Sequence, residues 1–173
     1  MICLPRLPAE LFESTPSQDR SGAESSSYKP SEVISAVEAV NEPNLKLIFD
    51  PSHAYLTSVK GVRQTGEKEI LPGGVIEYIH MMGHHIGYVH MVDTSGKLSE
   101  LDNAHTSDHL PLGEGILDLD AIIDALWPYA GHLPYWSLDF YACRDAEHTA
   151  IESLKILREK VQKRSANAEE TGI

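Results

Sequence analysis

Residues 85–115 read HIGYVHMVDTSGKLSELDNAHTSDHLPLGEG, and this stretch decides the fold. Five of the first six residues from Ile86 are apolar or glycine, and the run ends in an acid before a Thr-Ser-Gly turn. A continuous apolar run of this length predicts a strand of a parallel sheet, buried on both faces. His90 lies near the end of this strand, where parallel α/β proteins bind their ligands.

The loop after this strand is rich in imidazoles and carboxylates. It carries Asp102, His105, Asp108 and His109 and closes on Leu112-Gly113-Glu114-Gly115. Such side chains at the end of a strand suit a bound metal or a proton transfer. A solvated polar loop above a core histidine explains the same residues, and the stretch alone leaves both interpretations open.

Composition restricts the class of protein. A chain of 173 residues with 42% hydrophobic and 23% charged residues predicts one globular domain. The formal net charge of −12 argues against nucleic acid or an anionic membrane as partner. Cys3 and Cys143 form no disulfide framework. The sequence shows neither a membrane-spanning run nor a secretory leader, so we expect a cytoplasmic protein.

Strands and helices alternate along the chain. We predict helices that begin at Pro30, near Gly74 and at Asp145, and one from Asp118 that ends at Trp127-Pro128. Histidines at the end of the second helix, His80, His84 and His85, are expected to be structural. The predicted domain spans residues 1–165, with a flexible loop at 14–29 and a disordered tail at 166–173.

Acids follow two further predicted strands. Leu45–Phe49 runs into Asp50-Pro51-Ser52-His53, and residues 134–140 contain Asp139. Asp50 could instead cap the following turn, with His53 exposed. Because right-handed crossovers bring the carboxyl ends of parallel strands to one edge, we expect Asp50, His90 and Asp139 to converge. Two carboxylates and an imidazole suit a divalent cation such as Mn²⁺, Mg²⁺, Co²⁺ or Zn²⁺.

Four segments carry a resemblance to a known family: FDPSHAYL at 49–56, IGYVHMVDTSG at 86–96, DHLPLGEGILDLDAII at 108–123 and YWSLDFY at 135–141. From about Asn44 to Val161 the chain resembles the sugar phosphate isomerase/epimerase superfamily, which folds as a xylose isomerase-like TIM barrel. It looks closest to the sugar 3-epimerases, and a more distant likeness is to the type IV abasic-site endonucleases. The resemblance implies an α/β fold, a partial (β/α)₈ barrel made of the C-terminal half.

The resemblance also implies roles for single residues. Asp50, His90 and Asp139 match three of the four ligands of one divalent metal, and Asp139 also matches an acid that exchanges the substrate proton. His53 matches a histidine that contacts substrate hydroxyls, and His109 matches a loop histidine that enters the pocket. The implied activity polarises a carbonyl with the metal and transfers a proton beside it.

This chain departs from the family pattern in three ways. Asp139 is one methylene shorter than the family's glutamate. The first glutamate ligand maps near Pro5, which cannot replace it. Glu10 and Glu13 are the candidate substitutes, and we include Glu13, within Phe12-Glu13-Ser14, as a candidate substrate-binding residue. A whole barrel needs roughly 250 residues, so we expect about four to five of the eight parallel strands.

Several functions follow from these expectations. One is a sugar or sugar phosphate isomerase/epimerase-type protein that uses a divalent metal but is inactive because it is truncated. The alternative is a non-catalytic metal- or sugar-binding half-barrel or a gene fragment, and pairing of two copies as a homo-oligomer would cover open sheet edges. The net charge disfavours phosphodiester hydrolysis. In each case the expected partner is a small-molecule sugar or sugar phosphate, and catalysis by the chain itself is doubtful.

Overall fold

Residues 2–3, 29–62, 64–99, 107–140 and 145–171 are described by a computed structural model of the chain. The described part has four strands: β1 (Ile2–Cys3), β2 (Lys46–Phe49), β3 (Ile86–Met91) and β4 (Trp136–Leu138). Its α-helices are α1 (Pro30–Val40), α2 (Pro51–Ser58), α3 (Gly74–Met82), α4 (Leu119–Ala130) and α5 (Ala146–Thr171). A 3₁₀ turn, Gly83–His85, leads from α3 into β3.

The strands form one sheet in the order β1-β2-β3-β4. β2, β3 and β4 are parallel, whereas β1 pairs with β2 in the antiparallel direction. This confirms the predicted α/β class with a partial barrel of parallel strands and helices. Among the described residues, three strands are parallel, fewer than the about four to five expected from the size of the barrel.

The core lies between the sheet and the helices α3 and α4. The strand residues that point into it are almost fully buried: Leu47, Phe49, Ile86, Val89 and Met91. Ile79 of α3 and Leu126 of α4 cover them. The opposite face of β3 is only half-buried at Tyr88 and His90, so the prediction of a strand buried on both faces holds for the helix-covered face alone.

The helices α2 and α4 differ from what the sequence predicts. α2 was not predicted, although Asp50 caps it and Pro51 occupies its first position, a common arrangement at helix starts. The prediction that Trp127-Pro128 ends α4 is wrong, because the helix continues to Ala130. Pro128 lacks an N–H and its ring crowds the carbonyl four residues earlier, but fully buried Ala130 holds the last turn against the core.

Four other predicted segments relate to the structure in different ways. α1 and α3 begin where their sequence signals place them, at Pro30 and Gly74. α5 runs to Thr171 and thus includes part of the segment predicted as a disordered tail. The flexible loop predicted for residues 14–29 lies outside the described residues except for Lys29.

A register shift in the sheet determines which residues lie side by side at the ends of β2 and β3. Between Leu47 and Ile48 the register of β2 against β3 advances by one residue, so that Phe49 lies opposite Val89. Gly87 is the residue passed over, and a Cβ there would lie 2.4 Å from the Cβ of Lys46. Asp50, the first residue after β2, therefore lies beside His90 of β3.

The loop after β3 is tied back to the strand by Asp93. This carboxylate is 1% exposed and accepts hydrogen bonds from the backbone N–H groups of Thr94 at 2.9 Å, Gly113 at 3.1 Å and Leu117 at 3.1 Å. A Cβ on Gly115 would lie 2.1 Å from Asp93 Oδ1. Gly115 is therefore glycine because its backbone approaches a buried carboxylate, whereas Gly113 has a φ of +86° that favours glycine.

We expect Gly115→Ala to destabilise the protein by about 3 kcal/mol, the upper end for overpacking a buried site. The added methyl would displace either Asp93 or the carbonyl of Thr94, which is 2.4 Å from the Cβ position. Gly66→Ala is the control: its φ of +66° is strained, but nothing lies within 4 Å of its Cβ, and it should cost about 1 kcal/mol. Denaturant unfolding measures both, and equal losses would contradict the close approach.

None of the described helices is long and apolar enough to cross a membrane.

Candidate metal centre

The ends of the three parallel strands carry the acidic and imidazole side chains. Asp50 directly follows β2, and His90 is the fifth residue of β3. Asp139 directly follows β4, and its N–H donates to the carbonyl of Met91 at 3.2 Å. His90 lies opposite Ser137 in the register. Since residues two apart on a strand share a face, Asp139 points to the side of the sheet that His90 occupies.

His90 lies between the two carboxylates. Its Nδ1 is 3.0 Å from Asp139 Oδ2 and 3.7 Å from Asp50 Oδ2. The side chain of Asp50 is 7% exposed, that of His90 16% and that of Asp139 37%. The cluster is therefore shielded from solvent on the side of β2 and accessible to solvent on the side of β4.

Two further histidines border the same carboxylates. His109, delivered by the loop that Asp93 anchors, is buried with Nε2 3.8 Å from Asp50 Oδ2 and Nδ1 3.4 Å from Asp139 Oδ2. The ring of His53, from the first turn of α2, meets the ring of His109 edge to face at 5.2 Å between centroids. The structure thus brings together all five predicted site residues that it describes.

The two oxygens of Asp50 have different surroundings. Oδ1 accepts the N–H of Ser52 at 2.9 Å, the hydroxyl of Ser52 at 2.6 Å and the N–H of His53 at 3.1 Å. Oδ2 is buried and accepts no hydrogen bond from the described residues. One oxygen caps α2 while the other faces the imidazoles, so the cap is confirmed and does not exclude the predicted role as a ligand.

The electrostatics of the cluster favour a cation. Burial alone raises the pKa of Asp50, but the nearby His90, the charge of His53, the Ser52 hydroxyl and the charge of His109 together lower that pKa to about 2. The pKa of His90 is raised, chiefly by the Asp50 carboxylate; burial opposes this and Asp139 adds to it. Two carboxylates therefore stabilise positive charge at His90.

The residues fit a divalent metal. Ligand atoms of Asp50, His90 and Asp139 lie within 4.8 Å of one another, and those of Asp50, His53 and His109 do so as well. Neighbouring ligands 2.0–2.1 Å from a metal lie about 3 Å apart, close to the separation of His90 Nδ1 and Asp139 Oδ2. A buried carboxylate oxygen without a hydrogen-bond donor is the group that a cation would satisfy.

Other predicted residues lie elsewhere. Asp108 accepts hydrogen bonds from Thr94 and from the N–H of Ser95 and thus ties the loop together. The imidazoles of His80 and His84 pack edge to face on Tyr129. His85 Nε2 lies 3.8 Å from a carboxylate oxygen of Glu38. The remaining candidates lie outside the described residues: Pro5, Glu10, Glu13, Asp102 and His105.

Two serines belong to the cluster but were not predicted. Ser52 and Ser107 are fully buried, and their hydroxyl oxygens are 2.6 Å apart. Ser52 could have been predicted, because it follows Asp50-Pro51 in the first turn of α2, where a hydroxyl can donate to the capping carboxylate. No signal in the sequence distinguishes Ser107 from the other polar residues of its loop.

The sequence profile described as Xylose isomerase-like TIM barrel matches residues 11–160, which is most of the chain. This chain belongs to that family. The match confirms the family and the fold expected from the sequence. Asp50, His90, His109 and Asp139 lie within the matched range.

Two solved structures share the fold of this family member. A xylose isomerase domain protein from Planctomyces limnophilus is 18% identical with a TM-score of 0.53, and a D-tagatose 3-epimerase-like protein is 20% identical with a TM-score of 0.52. Each match covers 79% of this chain but only 42% and 43% of the respective neighbour. The chain thus spans about two fifths of their length. No curated protein matches the chain.

We expect the metal-free protein to lose stability as the pH rises through the raised pKa of His90. An imidazolium held by Asp50 and Asp139 stabilises the fold fully below the unfolded-state value of about 6.5, and this contribution disappears when the folded ring deprotonates. The measurement is the thermal midpoint in chelator between about pH 6 and 9. His90→Asn should flatten this dependence and His132→Asn, an exposed loop control, should not. A wild type as flat as His90→Asn would contradict the pairing.

Proposed function

We propose that this chain binds a divalent cation through Asp50, His90 and Asp139, beside a site for a sugar or sugar phosphate. The observation that carries the proposal is the buried Oδ2 of Asp50, which accepts no hydrogen bond from the described residues yet faces His90 and His109. An ionised oxygen in such a place needs a cation or a donor from a ligand. The donor set of carboxylate and imidazole suits Mn²⁺, Co²⁺, Zn²⁺ or Mg²⁺.

The residues around the cluster suit a polyhydroxy ligand. The bound cation would polarise the carbonyl of an open-chain sugar. The rings of His53 and His109 pack edge to face beside the cluster, and imidazole nitrogens are suited to exchange hydrogen bonds with sugar hydroxyl groups. Asp139 is the most exposed of the three proposed ligands, so an incoming substrate reaches its carboxylate first.

Asp139 is the candidate base for proton transfer. A carboxylate beside a polarised carbonyl removes the proton of the neighbouring carbon. Return of a proton to the former carbonyl carbon isomerises the sugar, whereas return to the opposite face of the same carbon epimerises it. The name of the D-tagatose 3-epimerase-like neighbour supports this class of reaction. A second acid on the opposite face is predicted near Glu10 or Glu13, outside the described residues.

The second candidate is a cytoplasmic binding module without catalysis. It is favoured by the three parallel strands of the described part and by large apolar side chains left exposed near β4 and on α5, namely Tyr135, Ile151 and Leu154. Pairing of two copies would bury such side chains and any free strand edge. The mass of the protein in solution tests this association.

We expect the purified protein to bind one Mn²⁺ or Co²⁺ per chain in a calorimetric titration. Removal of a ligand in His90→Ala should weaken binding by at least about 100-fold. Asp50→Asn should also weaken binding strongly, because it replaces one carboxylate oxygen by an amide but retains an oxygen that can cap α2. The matched control is His132→Ala, an exposed histidine in the turn after α4.

The outcome separates the two candidates. Stoichiometric binding that both site variants weaken supports the metal centre, and equal binding by wild type and His90→Ala would refute it. Enzymatic function is tested by incubating the Mn²⁺-loaded protein with ketohexoses in D₂O. Deuterium incorporated next to the carbonyl, and lost in Asp139→Asn, indicates proton transfer. Binding without exchange indicates the non-catalytic module.

A further inference from the structure

A pocket of about 290 Å³ lies between α4, α5 and the beginning of β4. Trp136, the first residue of β4, lies opposite Val89 on the helix-covered face of the sheet, whereas Ser137 lies opposite His90 of the candidate metal centre. Because successive residues of a strand point to opposite faces, the pocket and the metal centre are separate sites. The apolar side chains that line the pocket are Trp127, Leu133, Trp136, Leu154, Leu157 and Val161.

The two indole rings of this pocket are held in place by neighbouring groups. Trp136 donates its Nε1 proton to the carbonyl of Ala130 at 3.0 Å, and the guanidinium of Arg164 lies 5.9 Å from the centre of the Trp127 ring. A Cβ on Gly131 would lie 2.9 Å from Cδ2 of Trp127, so the glycine leaves room for this ring. An aromatic ligand would therefore contact indoles that are already positioned.

The mouth of the pocket carries a cation. Arg158 and Gln162, four residues apart on α5, are exposed and line the pocket, and the described part of the chain gives neither side chain a hydrogen bond or an ion pair. By contrast, Lys155, Lys160 and Arg164 of the same helix each pair with a carboxylate, at 2.6, 2.7 and 2.8 Å. A guanidinium of this kind beside an apolar pocket indicates a site for an amphipathic anion.

We propose that this pocket binds a small carboxylic acid that carries an aromatic ring, with the ring against the two indoles and the carboxylate at Arg158. An apolar cavity of about 150 Å³ holds benzene, so a volume of 290 Å³ accommodates a ring with a short side chain. A guanidinium binds a carboxylate through two parallel hydrogen bonds, and the amide of Gln162 is able to donate a third. This site is independent of the proposed function, since no residue of the metal centre lines the pocket.

The test is a titration of the metal-free protein with hydrocinnamate, a phenyl ring on a short chain that ends in a carboxylate, and with its neutral amide. Both tryptophans of the chain line the pocket, so the indole emission reports on this site alone. We expect hydrocinnamate to shift the emission to shorter wavelengths in a saturable manner, because it displaces water from the indoles. It should bind about 10-fold more tightly than the amide, as a hydrogen-bonded charge does.

Three variants assign the charge preference to Arg158. Arg158→Gln should weaken the binding of hydrocinnamate about 10-fold and leave that of the amide unchanged. Lys163→Gln is the matched control, since it removes the same charge from an exposed position of α5 that does not line the pocket. Leu154→Glu introduces a carboxylate one turn before Arg158, where it can pair with the guanidinium, and should abolish the preference for the acid. All three residues are exposed, so the variants should fold.

The proposal would be overturned if the wild type bound the acid and the amide equally, or if Arg158→Gln and Lys163→Gln weakened binding to the same extent. An emission that responds to neither ligand would overturn it as well. The mass of the unresponsive protein in solution would then show whether a second copy of the chain covers the pocket instead.

Discussion

The hydrogen bonds that the buried carboxylate of Asp93 accepts hold the loop after β3 in place. Charge-assisted bonds to backbone N–H groups are stronger than neutral ones, and a buried carboxylate without them would be costly. Backbone bonds between Asp93 and Leu110, at 2.9 and 3.0 Å, fix the return of the chain. His109 precedes Leu110 directly, so the position of its imidazole depends on this anchor.

The remaining site residues depend on the sheet. Register places Asp50 beside His90, and the backbone bond from Asp139 to Met91 extends the pairing of β3 with β4 past the last strand residue. Backbone geometry thus brings the side chains of Asp50, His90 and Asp139 together, with 3.7 Å between Asp50 Oδ2 and His90 Nδ1. His90 and His109 lie 3.0–3.8 Å from carboxylate oxygens of Asp50 and Asp139, and the ligand atoms of Asp50, His90 and Asp139 lie within 4.8 Å of one another, as a shared cation requires.

Sequence patterns predicted the parts of this arrangement that depend on local periodicity or on topology. α3 and β3 follow from apolar spacing, and the convergence of Asp50, His90 and Asp139 follows from parallel strands. α2 was missed because PSHAYLTS has no apolar stripe. The contact between Ser52 and Ser107 could not be predicted, since it joins residues 55 positions apart. The extension of α4 past Pro128 reflects tertiary packing, which local signals do not contain.

The capping of α2 by Asp50 has a consequence for affinity. A surface carboxylate must give up rotational freedom when it engages a ligand, at a cost of about 0.5–1.5 kcal/mol for each side chain immobilised. The three donors on Oδ1 have already fixed the torsion angles of Asp50 during folding. Its second oxygen is thus preorganised, and binding of a cation or hydroxyl there requires no further loss of side-chain conformational entropy from Asp50.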